Sequence, residues 1–189
     1  MSAHGRGRID IITGCMFSGK TSRLIHRLKR AGAAGQPISA FKHHLDRRYS
    51  STQIVSHDGR RWSAQAVVGG AELLARCNGA RVVGIDEGQF FDRGLVAACA
   101  TLRDQGRWVI LAGLNLDCRG RPFWPMDEIA AIADDVLLAR ATCSVCRAKA
   151  EYTYRKAPVV ADADMVGGSE MYEPRCETCF RLAQTAASV

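Results

Sequence analysis

No run in this sequence approaches the ~20 consecutive apolar residues of a membrane-crossing helix, so a helical span is not expected. The basic start, Met1 to Arg8, passes through a short apolar stretch straight into a glycine-rich motif. A secretory leader is therefore not expected, and the chain reads as cytoplasmic. Lysine is scarce, at 5 residues against 21 arginines, and aromatic residues make up only 7%. Basic and aromatic residues nowhere interleave into the stripe that a single-stranded nucleic acid would stack on. Internal repeats and low-complexity segments are absent too, which excludes a solenoid or a tethering tail.

What is present describes a soluble globular protein. The 189 residues are 47% hydrophobic and 24% charged, enough to build a core without disulfide support. Lysine and arginine outnumber the acids by 26 to 19, a net charge of +7 that suits nucleic acid or a polyanionic small ligand. The densest basic cluster, Arg23, His26, Arg27, Lys29 and Arg30, has the spacing of a solvated helix face. Of the eight cysteines, four form two C-x-x-C pairs. The isolated four, Cys15, Cys77, Cys99 and Cys118, are expected as small buried hydrophobes.

Strand-like and helix-like segments alternate through the first ~140 residues, the pattern of a doubly wound parallel α/β sheet. Strands are expected at 8–13, 37–42, 81–86, 108–113 and 135–139, and helices at 21–30, 70–77 and 95–105. Residues 43–62 are polar and glycine-punctuated and read as a flexible loop. Beyond residue 141 the chain turns to short strands and cysteine pairs, closing with a helix over 177–187. These shifts predict a nucleotide-binding domain over 1–140 and a small zinc-binding domain over 141–189.

Three motifs carry chemistry. Gly14-Cys15-Met16-Phe17-Ser18-Gly19-Lys20-Thr21 fits G-x-x-x-x-G-K-[ST], between a strand and a helix as that motif requires. Its backbone N–H groups and the helix dipole would cradle phosphates. Lys20 would reach the β/γ-phosphates of a nucleoside triphosphate, and the Thr21 hydroxyl would ligate Mg²⁺. Asp86 and Glu87 end a buried strand, where an acid can serve Mg²⁺. Neighbouring residues point different ways, so spacing leaves Glu87 open as a general base, a water-activating group or a helix-end charge. Cys143, Cys146, Cys176 and Cys179 make C-x₂-C-x₂₉-C-x₂-C, a closed thiolate set for structural zinc, with something looped out between the pairs.

Taken in order, these motifs resemble the type II thymidine kinases, the family of the human cytosolic enzyme and many bacterial ones. Gly14 to Thr21 is similar to that family's G-P-M-F-S-G-K-[ST] loop, and Asp86 to Phe91 to its D-E-[GA]-Q-F-F strand end. Asp46 to Ser50 and Ser56 to Gly59 resemble its flexible stretch after the second strand. Gly113 to Phe123 resembles the segment beside the nucleoside, and Met165 to Tyr172 the loop that closes over the base.

The resemblance implies an enzyme that moves the γ-phosphate of ATP to the 5′-hydroxyl of thymidine, and of deoxyuridine. It makes Glu87 the general base and gives Mg²⁺ to Asp86 and Thr21. Asp46, Arg48 and Gln89 join the phosphate loop around the triphosphate. Met16, Phe90, Leu114, Cys118, Phe123, Thr153 and Tyr172 line the nucleoside pocket. The looped-out segment becomes a lasso gripping the nucleoside with main-chain groups of Ala163, Asp164, Met165, Val166 and Gly167. A homotetramer, feedback inhibition by thymidine triphosphate, and no stable nucleic-acid or membrane partner are also implied. Two positions depart from the family: Cys15 stands for proline, and Cys118 for a phenylalanine near the base. Two rivals come from other classes. One is a nucleic-acid-stimulated P-loop ATPase with a zinc ribbon; the other is a silent nucleotide-binding regulator, against which the Lys20, Thr21, Asp86 and Glu87 set argues.

Overall fold

A computed structural model describes residues 6–46, 50–77, 79–156 and 167–186. Strand β1 (Arg8–Gly14) is buried from its second residue onward, with Ile9 and Ile11 on one face and Ile12 on the other. Helix α1 (Lys20–Ala33) follows, then β2 (Ile38–His43), a hairpin of β3 (Gln53–Val55) and β4 (Arg61–Ser63), and β5 (Gln65–Val67). Next come α2 (Gly70–Arg76), β6 (Val82–Asp86), a 3₁₀ turn over Gly88–Phe90, α3 (Gly94–Asp104) and β7 (Trp108–Gly113). Helix α4 (Met126–Ala131) and β8 (Asp135–Ala139) complete the main layer. The remainder is β9 (Ala141–Thr142), β10 (Lys149–Ala150), β11 (Tyr152–Arg155), β12 (Tyr172–Arg175) and α5 (Glu177–Ala186).

Six strands form one sheet in the order β5-β2-β6-β7-β1-β8, every pair parallel. Such a sheet needs cover on both faces, which is why its strands read as unbroken apolar runs. Helix α1 covers one face with Leu24, Ile25, Leu28 and Ala31. Helices α2, α3 and α4 cover the other with Leu73, Leu95, Leu102 and Ile129. Gly84 of β6 lets α1 lie close, since a Cβ there would stand 2.8 Å from the Leu28 methyl groups.

Three expectations are corrected. The stretch 43–62 is not a plain loop: it contains the β3–β4 hairpin, paired Gln53↔Ser63 to Val55↔Arg61. Buried Ile54 and the Trp62 ring seat it on the α1-side core, two apolar side chains hidden in a polar composition. The basic helix face is not all solvated. Arg23, His26, Lys29 and Arg30 are exposed, but Arg27 turns inward to Asp10 of β1 at 2.8 Å and reaches Asp135 of β8 at 3.5 Å. Cys118 is only partly buried, whereas Cys15, Cys77 and Cys99 are buried as expected. Burial pushes the Cys77 thiol up to about 11 and that of Cys99 up to about 12, so both stay neutral. Helix α1 also runs longer than expected at both ends, and the last residue of the expected terminal helix, 187, lies outside the described residues.

His43, at the end of β2, gives a pH test. Burial lowers its pKa below 6.5, and nearby His44 acts the same way. Its Nε2 lies 3.1 Å from the Val68 carbonyl, and Phe91 packs edge-on at 5.1 Å. A depressed histidine contributes stability that is complete above pH 6.5 and is lost as pH falls through that window, because the unfolded chain takes the proton first. Thermal melts between pH 7.5 and 5 should therefore fall more steeply for wild type than for His43→Gln; parallel curves would count against it.

Candidate functional site

The loop after β1 owes its shape to its glycines and its neighbours. Gly14 has φ 139°, and a Cβ there would lie 2.0 Å from the Ala139 carbonyl, so no other residue lets β1 and β8 meet so closely. Ser18 Oγ and Lys20 Nζ both donate to the Cys15 carbonyl, at 2.8 and 2.7 Å, tightening the loop on itself. From outside, the Met16 N–H donates to Thr153 Oγ1 at 3.0 Å, and the Cys15 thiol to the Ala150 carbonyl at 3.4 Å. The loop is thus held from β1 on one side and from β10 and β11 on the other.

Across it stands the end of β6. Asp86 is buried and accepts from Thr21 Oγ1 at 3.2 Å. Glu87 takes a left-handed turn at φ 54°, uncommon for a residue with a side chain and costing on the order of 1 kcal/mol. That turn aims the two acids differently. Glu87 Oε2 accepts from Gln89 Nε2 at 2.5 Å, while Gln89 Oε1 accepts from the Leu114 N–H at 3.0 Å. Buried Gln89 therefore ties the Glu87 carboxylate to the chain segment leaving β7.

These groups open on one cavity of about 450 Å³. It gathers Met16 to Thr21, Asp46, Asp86, Glu87, Gln89, Phe90, Leu114 and Gly167 from the expected set. Gly14 and Cys15 stand behind the loop; Cys15 is buried against Cys143 and Ala150. A second recess, of about 30 Å³, adjoins it and brings together Met16, Phe90, Leu114, Cys118, Phe123, Thr153 and Tyr172. Every described residue expected to line a nucleoside pocket is there. Tyr172 is buried, and Arg155 Nη1 donates to its hydroxyl at 3.2 Å. Arg48, Ala163, Asp164, Met165 and Val166 lie outside the described residues.

Residue 7 to residue 180 matches the family model described as thymidine kinase. The chain belongs to the thymidine kinase family. Curated relatives agree in kind: the thymidine kinase of Porphyromonas gingivalis (strain W83) is 45% identical over 93% of this chain and 86% of its own. Those of a Rhodothermus species and of Bacteroides fragilis (strain YCH46) are 43% and 44% identical, over 93% and 94% of this chain and 82% and 89% of theirs. The mixed α/β fold with its parallel sheet and the phosphate loop are consistent with that membership.

Two segments singled out in the sequence only as stretches supply individual walls of these recesses that were not named as site residues. Leu116 and Asp117 line the smaller recess. Asp117 shapes its loop by accepting from the Arg119 and Arg121 N–H groups at 2.9 Å, and Asp-x-x-Gly was the available turn signal. His57 and Asp58, at the tip of the β3–β4 hairpin, line the large cavity. The His57 ring stacks on Phe17 at 5.1 Å, and Ser22 Oγ donates to Asp58 at 2.8 Å. Hydrogen bonds from Ser56, Ser22 and Arg60 hold the Asp58 carboxyl well below its usual range.

The four cysteine sulfurs lie within 4.8 Å of one another, with Cys146 and Cys176 at 3.5 Å. Tetrahedral zinc with ~2.3 Å bonds sets its sulfurs about 3.8 Å apart, so the set fits. Burial raises the Cys143 pKa, but hydrogen bonds from backbone groups of Cys146, Cys176 and Val145 outweigh it and bring the thiol to about 6. A backbone bond from the Ser144 N–H to the Pro174 carbonyl, 2.9 Å, already joins the two knuckles. Purified protein should carry one zinc per chain, and a chelator should release it and lower Tm. Protein without zinc that keeps its Tm in chelator would refute the assignment.

Proposed function

We propose that this chain transfers the γ-phosphoryl group of ATP to the 5′-hydroxyl of thymidine, and of deoxyuridine. The observation that carries the reading is the continuity of two recesses: the phosphate loop and Glu87 share a cavity that adjoins an apolar pocket of nucleoside-binding character. Thr21 Oγ1 and Asp86 Oδ1 are hard oxygen donors 3.2 Å apart, suited to Mg²⁺. Bound there, the ion would supply charge neutralisation between the β- and γ-phosphates. Loop amides and Lys20 bind and orient the triphosphate, Lys20 exchanging its contact with the Cys15 carbonyl for phosphate oxygens.

Glu87 accepts the proton of the 5′-hydroxyl as that oxygen bonds to the γ-phosphorus and ADP leaves. Gln89 holds the carboxylate for this step, its amide fixed at the far end by Leu114. Met16, Phe90, Leu114, Phe123 and Tyr172 exclude water around base and sugar, and main-chain groups of 163–167 complete the grip. A division into a 1–140 kinase unit and a 141–189 zinc and nucleoside-gripping unit, a homotetrameric assembly, a cytoplasmic location and inhibition by thymidine triphosphate belong to the same reading.

Transfer of labelled γ-phosphate to thymidine should be strong in wild type, and Glu87→Gln should lower kcat by about 10²–10⁴ with little change in KM. Label released only as free phosphate would overturn the reading. The pocket makes its own prediction. Cys118 leaves an aromatic wall missing, worth ~1 kcal/mol of stacking. Cys118→Phe should lower the thymidine KM several-fold; an unchanged KM would show that the side chain does not face the base.

A further inference from the structure

All five lysines are among the described residues, and Lys42 alone is buried, at 2% exposure. Burying an ammonium costs several kcal/mol unless its donors are satisfied, so its partners show what it is for. It has three N–H groups and three acceptors: Asp46 Oδ2 at 3.0 Å, the Ser50 carbonyl at 2.9 Å and the Gln53 carbonyl at 3.4 Å. Asp46 lies just beyond β2, its N–H donating to the His43 carbonyl at 3.0 Å, and Gln53 begins β3. One ammonium thus fastens both the chain leaving β2 and the chain entering the hairpin.

Its place in the sheet matters as much. Lys42 pairs in register with Asp86 on the neighbouring strand. Alternation puts both on the α1 side of the sheet, two residues along from Ala40 and Gly84. Asp86 and Asp46 line the same cavity. A carboxylate in that wall would repel a triphosphate unless its charge is balanced and its direction is set.

We propose that Lys42 is a positioning residue for the phosphate-donor site, acting through Asp46: it balances that carboxylate and presents it to the donor nucleotide in one pose. This rests on the kinase reading above. A lysine that served the fold alone would show its loss in stability, through the uncompensated Asp46 charge, and in both substrates alike. A positioning lysine makes the donor side fail selectively, and only while Asp46 keeps its charge.

The test is a double-mutant cycle on the full chain with Lys42→Met, Asp46→Asn and the pair together. It reads Kd for Mg-ATP by calorimetry and KM for ATP and for thymidine. Lys42→Met should weaken Mg-ATP binding and raise its KM about tenfold, with the thymidine KM unmoved. Adding Lys42→Met to Asp46→Asn should cost almost nothing further. Multiplying losses would mean that Lys42 acts without Asp46, and equal rises in both KM values would mean a purely structural role; either overturns the proposal. Should Lys42→Met fail to fold, the neutralised pair is compared with Asp46→Asn alone, where a large difference again overturns it. The kinase reading fails separately: wild type would then bind Mg-ATP without phosphorylating thymidine, and the calorimetric cycle would still decide the role of Lys42.

Discussion

The site depends on parallel pairing that brings the carboxyl ends of β1, β2 and β6 out along one edge of the sheet. Ligands of open parallel sheets gather at that edge because side chains from several strands emerge there together. Here β1 delivers the phosphate loop, β6 delivers Asp86 and Glu87, and β2 delivers Lys42 and Asp46. The Thr21–Asp86 bond is this constraint at atomic scale, joining the first turn of α1 to the end of a strand two places away.

A second constraint comes from the C-terminal segment, which shapes the phosphate loop as much as it borders the smaller recess. Thr153 occupies the Met16 N–H, and Cys15 fills a small apolar seam with Cys143 and Ala150, backed by Cys176 and Cys179. The cysteine cluster therefore packs directly behind the loop. Cys15 suits that seam: its thiol is buried and adds a weak bond to Ala150.

Much of this was legible beforehand because the signals were local. Buried parallel strands announce themselves as apolar runs, and the phosphate loop needs glycines at fixed offsets. The thiolates need C-x-x-C knuckles, and all of these survive without knowledge of neighbours. The β3–β4 hairpin was hidden because Ile54 and Trp62 gain meaning only against α1. Arg27 was hidden in a basic helix face because its partners, Asp10 and Asp135, sit on strands far away in sequence. The resemblance placed Gln89 beside the triphosphate; the hydrogen bonds that join it to the Glu87 carboxylate and the Leu114 N–H could not be read from the motif.

By itself, the order of residues determined the fold class, the phosphate loop, the Asp86-Glu87 pair and the two C-x-x-C pairs, since each follows from composition or from spacing within a few residues, and the order of these motifs carried the resemblance to the family. Tertiary structure alone decided that Asp86 meets Thr21 while Glu87 meets Gln89, what Thr153 holds, and why a lysine is buried beside Asp46. The longest of these contacts, Thr153 to Met16, Leu114 to Gln89 and the register of Lys42 with Asp86, join positions tens of residues apart, and their geometry is set by sheet register and close packing.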